Sequence, residues 1–97
     1  MTLVIDGQPR VMRLTLGALA GLEAALAEPS LVALVERFEQ GRFSSADVLA
    51  LLKAGLQGGG CGEVADALDH AEIEGGPMAA ARAAAQLIAR AFVVPGA

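Results

Sequence analysis

Helix-breaking residues recur along this chain at short intervals, and the segments between them carry leucine and alanine at helical spacing. Pro29, Gly41, the run Gly58-Gly59-Gly60-Cys61-Gly62 and the pair Gly75-Gly76 divide the sequence into pieces of single-helix length. After Thr15, a suitable N-cap, Leu16, Leu19, Leu22 and Leu26 fall within one narrow arc at 100° per residue. Glu23 borders that arc and is expected to pair with Arg10 or Arg13. Pro29 is expected to end this first helix and Ser30 to cap the second. There Leu31, Leu34, Val35 and Phe38 repeat at i, i+3, i+4 and i+7, and Gly41 stops the pattern.

Ser44 and Asp47 have the spacing of a capping box. Val48, Leu49, Leu51, Leu52 and Leu56 then form a broad apolar face with Gly55 in its midst. A mid-helix glycine costs about 1 kcal/mol relative to alanine. It is tolerated where a second backbone packs closely, so Gly55 is expected against another helix. The glycines at 58–62 read as a flexible joint. A short helix over about Glu63 to Glu72 and a last helix over about Pro77 to Val93 follow, with proline suited to the first turn.

Only the N-terminus departs from helical spacing. Leu3 and Ile5 alternate with Val4, Asp6-Gly7 is a strong turn signal, and Val11 to Leu14 read as a return strand. Hydrophobic residues make up 55% of the 97 positions and aromatics 3%, which favours helices over strands. The expected fold is mainly α with a small N-terminal β-hairpin, a compact bundle of about five helices. One domain over 1–97 is expected: hairpin 2–14, three helices over 15–57, the glycine-rich joint 58–62 and two helices over 63–93.

The net charge of −4 and only seven basic residues exclude the clustered Lys and Arg that phosphate binding needs, so neither nucleic acid nor an anionic membrane is an expected partner. Cys61 is the only cysteine, which suits a reducing compartment. The start of the chain has neither the basic nor the long apolar region of a signal peptide, and no apolar run reaches membrane-spanning length. A cytoplasmic location is expected.

Candidate chemistry is sparse. His70, the only histidine, with Asp66 four residues before it, could suggest a metal or general base, but a catalytic zinc needs three converging ligands. The plainer reading is a solvated histidine. Cys61 sits among glycines that give it no rigid scaffold for a Cys–His pair, and the glycine run lacks the Lys-Ser/Thr of a phosphate loop. No catalytic residue, metal site or cofactor is expected.

Two surfaces remain open. Glu63, Asp66 and Asp69, with Glu72 and Glu74, form an acidic stretch with no Lys or Arg between Lys53 and Arg82. It is either a solvated face or a docking surface for a basic partner. The last helix carries two apolar stripes, Met78, Ala81, Ala85, Ile88 and Phe92 on one side and Ala80, Ala84, Leu87 and Ala91 on another. The stripe with larger side chains is expected in the core. The Ala80, Ala84, Leu87 and Ala91 stripe is then either buried in a tight bundle or, as expected here, left for a partner, together with Glu63, Asp66 and Asp69. A homodimer through the same stripe is the rival outcome.

The runs Ile5-Asp6-Gly7, Arg13-Leu14-Thr15-Leu16-Gly17-Ala18-Leu19 and Leu22-Glu23-Ala24-Ala25-Leu26 resemble the small tail-assembly proteins of bacterial gene transfer agents and related tailed phages. Arg37-Phe38-Glu39-Gln40-Gly41-Arg42-Phe43-Ser44 and the helix from Val48 to Leu56 fit the same pattern, so the resemblance covers roughly 3–60. It implies a non-enzymatic role in tail assembly, as a chaperone binding the tape-measure or tail-tube protein. The alternative it leaves is a minor structural component of the tail tube that stays in the phage-like particle.

Overall fold

The computed structural model describes residues 2–27 and 31–91. Strands β1 (Thr2–Ile5) and β2 (Gln8–Val11) lead into helices α1 (Leu16–Leu26), α2 (Leu31–Glu39), α3 (Ser45–Gly58), α4 (Gly62–Asp66) and α5 (Gly76–Ala91). A single 3-10 turn, Leu68–His70, follows α4. The expected class, a helical bundle with an N-terminal hairpin, is the observed one. Pro29, Ser30, Phe92 and Val93 lie outside the described residues, as do the side chains of Leu31, Leu34 and Ala91.

The hairpin turns where the sequence says it should. Asp6 and Gly7 both have positive φ, 52° and 79°, the backbone of a type I′ turn. The register pairs Ile5 with Gln8 and Val4 with Pro9. The carbonyl of Val4 accepts from the N–H of Glu74, on the side away from β2. Val4 and Pro9 are therefore a non-hydrogen-bonded pair, and the missing N–H of Pro9 costs the ladder nothing. The return strand ends at Val11, earlier than expected, because Arg13 turns its N–H to the carbonyl of Gly55 at 2.8 Å.

A third short stretch completes the sheet. Ile73 forms an antiparallel bridge with Ile5, and the N–H of Asp6 donates to the carbonyl of Glu72 at 2.7 Å. The Asp6 carboxylate also accepts from the N–H of Glu72 at 2.8 Å. The back of the chain is thus stitched to the hairpin. The expected helix to Glu72 stops at Asp66, and the 3-10 turn brings the chain into extended form for this pairing.

α3 is the central element and touches α1, α4, α5, β2 and the 3-10 turn. Its Leu51, Leu52 and Leu56 are buried, with Leu22 of α1, Ile5 of β1 and Met12 around them. Its capping box forms as the spacing implies. The N–H of Asp47 donates to the Ser44 hydroxyl at 3.2 Å, and that of Ser44 to the Asp47 carboxylate at 2.8 Å. Leu19 and Leu22 of α1 are buried as expected, but Leu16 is 79% exposed in the first turn. Arg10 donates to Gln8, and the ion pairs found among the described residues are Arg37–Asp47 and Lys53–Asp69, not the expected pairing of Glu23 with Arg10 or Arg13.

The glycine run is not a joint at its start. α3 continues to Gly58, and a side chain there would overlap the carbonyl of Arg13, while one at Gly59 would overlap that of Val11. The chain leaving β2 lies directly on these two backbones, held by the Arg13–Gly55 bond. Gly58→Ala is expected to destabilise by about 1–3 kcal/mol, because a backbone carbonyl cannot swing aside as a side chain can. Urea denaturation measures this, and an unchanged midpoint would contradict the packing.

Candidate functional site

The last helix decides which surfaces are available. Ala80, Ala83, Ala84, Leu87 and Ile88 of α5 are buried, while Met78 is 75% exposed. The expectation that Ala80, Ala84 and Leu87 form an exposed stripe is therefore corrected: they face the core. At 100° per residue these positions form one arc centred near Ala80 and Ala84, with Ile88 on its flank and Met78 on the far side. The choice is made at Gly55 of α3. A Cβ there would run into the end of the Leu87 side chain and lie 3.3 Å from Cβ of Met12. The glycine and the alanines let α3 and α5 approach closely, and Leu87 fills the space above Gly55. Gly55→Leu is expected to cost about 1–3 kcal/mol through overpacking. A neutral thermal melt would mean that this seam is open.

Glu63, Asp66 and Asp69 are all exposed. Glu63 and Asp66 lie one turn apart on α4, and Asp69 lies on the 3-10 turn. Asp69 is already engaged, since it forms an ion pair with Lys53 of α3. The hydrogen bond from Lys53 holds its carboxyl below the ordinary value of 3.8; slight desolvation opposes this, and the charges of Lys53 and His70 add to it. A folded pKa lowered in this way means that the pair's contribution is present above the ordinary value and lost as the pH falls through the lowered one. In a carboxyl NMR titration, Asp69 should titrate below 3.8 and return towards it in Lys53→Met. An unchanged midpoint would mean that Lys53 does not hold it.

Two open grooves lie elsewhere. One of about 920 Å³ runs between the hairpin turn and the stretch Ala71 to Pro77, and its acids are Asp6, Glu72 and Glu74. The other, about 340 Å³, lies between the start of α3 and the start of α5 and is mostly apolar, with Phe43, Val48, Leu49 and Leu52 on one wall. Ile73, Pro77 and Ala80 line both, so the two adjoin. Phe43 is held by a stacked contact with Phe38, ring centroids 4.9 Å apart. The alternation Glu72-Ile73-Glu74 is the trace of this pairing in the sequence, too short by itself to point here.

Among the described residues, no group of three or more His, Cys, Asp or Glu is placed to hold a metal ion, and no helix is long and apolar enough to cross a membrane. His70 is exposed on the 3-10 turn, and Cys61 is half-buried as a free thiol. The arrangement offers apolar seats and carboxylates.

These features define a small, mainly helical fold with a hairpin stitched to its back half and two adjoining grooves, one mostly apolar and one with acidic residues. A family model described as "phage tail tube protein, GTA-gp10" matches residues 1–93, and the chain belongs to that family. No match was found among curated proteins or among solved structures.

Proposed function

We propose that this chain is a non-enzymatic structural component of a phage-like tail of the gene-transfer-agent type, associated with the tail tube and retained in the particle. The observation that carries this reading is the family match, which spans almost the whole chain and whose description names a tube protein. The exposed apolar and acidic groove suits a protein that works by contact with others in an assembly. The role replaces the chaperone expected from the sequence resemblance. A chaperone of the tape-measure protein would leave before the tail is complete, whereas a component keeps its contacts.

Its partners are then other tail proteins, and its place is the phage-like particle. Co-expression of the tagged chain with the neighbouring tail proteins, followed by affinity purification and mass spectrometry, tests the reading. A stable complex with a tube protein is expected. Capture of the tape-measure protein alone, released once tubes form, would return the chaperone role, and capture of no tail protein would overturn the reading.

A further inference from the structure

We propose that the two adjoining grooves together form one docking surface for a partner segment that places a large apolar side chain next to Lys or Arg. This rests on the tail-component reading for the partner's source, while the chemistry of the surface stands on the structure.

The apolar seat lies between two helix starts. Phe43, Val48 and Leu49 are half-buried on the α3 side, and Ile73 and Ala81 face them. A half-buried apolar wall of this kind gains when a second apolar side chain removes it from water. On the other side of Ile73 and Pro77, which line both grooves, lie Asp6, Glu72 and Glu74. Glu72 and Glu74 are exposed, and their backbones, not their carboxylates, hold the bridge to β1. Asp6 spends one carboxylate oxygen on the Glu72 N–H. Among the described residues no Lys or Arg lines either groove, and Arg10 lines only the hollow on the other side of Asp6.

That charge pattern selects the occupant. A second copy of this chain carries a net charge of −4 and would be repelled, whereas a segment with Lys or Arg beside its apolar anchor meets opposite charge. The acidic end steers the approach and weakens with salt, while the apolar end gives the bound state its register. The short α4 acids Glu63 and Asp66 lie outside both grooves.

The test has two arms on the full chain. In the first, a synthetic peptide with alternating leucine-rich and lysine-rich turns is titrated into isotope-labelled protein. Amide shifts confined to residues 4–8, 43–52 and 71–81 are expected, and they should vanish for the same peptide with Glu in place of Lys. Shifts centred on α4, or none, overturn the proposal. In the second, the complex with neighbouring tail proteins is treated with a reagent that couples carboxylates to amines. Links from Glu72 or Glu74 to partner lysines are expected, and Glu74→Lys and Ala81→Gln should each weaken capture by about tenfold while Glu63→Lys leaves it unchanged. Loss with Glu63→Lys alone, or links only between copies of this chain, overturns the proposal. Absence of any captured tail protein would count against the tail-component reading, and the peptide arm still decides the chemistry of the surface.

Discussion

Leu87→Glu is expected to unfold the protein. Leu87 is 3% exposed, and its side chain lies over Gly55 of α3 within the hydrophobic core. A charge forced into such a site either stays ionised at a cost of several kcal/mol or takes up a proton at a smaller one. It also loses the packing of the leucine, which alone is worth about 2–4 kcal/mol in a Leu→Ala change. The combined loss of about 4 kcal/mol or more is a large part of the 5–15 kcal/mol that holds a typical domain. Circular dichroism should show lost helix, or a melting temperature lowered by tens of degrees. A folded Leu87→Glu variant that merely loses its partner would show that α5 presents this side outwards, against the packing described above.

Asp47→Ala is the second large effect. Asp47 is 3% exposed, and its carboxylate holds three hydrogen bonds or ion contacts at once. Arg37 of α2 reaches it at 2.8 and 2.7 Å, and the N–H of Ser44 at 2.8 Å. The pair ties α2 to the start of α3, and the cap fixes where α3 begins. Replacement by alanine removes the reciprocal half of the cap and the counter-charge beside a guanidinium whose side chain is 27% exposed. Capping is worth about 1 kcal/mol and a broken buried pair about 3–5, discounted here because Arg37 reaches water. A loss of about 2–4 kcal/mol in urea denaturation is expected. Asp47→Asn should cost less, because its amide oxygen still accepts. A loss below about 0.5 kcal/mol for Asp47→Ala would mean that the pair is no stronger than a surface one.

What the sequence made legible was local. The Asp6-Gly7 turn and the Ser44–Asp47 box depend on residues whose partners lie nearby in the sequence, and Gly55 marks a close approach without naming what approaches. The misread features depend on distant partners. Two stripes on α5 have the same period, so periodicity cannot say which turns inwards; the fit of Leu87 over Gly55 does, across thirty-two positions of sequence. Gly58 and Gly59 look like a linker until the carbonyls of Arg13 and Val11 are seen against them. Glu72-Ile73-Glu74 is too short to read as a strand without β1 beside it. The candidate surface fell out of view for the same reason. Its acids and its apolar wall come from the hairpin, the start of α3 and the start of α5, which only the fold brings together.

The central claim, that this chain is part of the tail, is tested most directly by the protein content of purified tailed particles. Quantitative mass spectrometry should find it at a fixed ratio to the tail-tube protein, and the ratio should survive a salt wash that removes loosely bound material. Its absence from complete particles, with abundance in the cells that make them, would contradict the account and leave an assembly chaperone in its place.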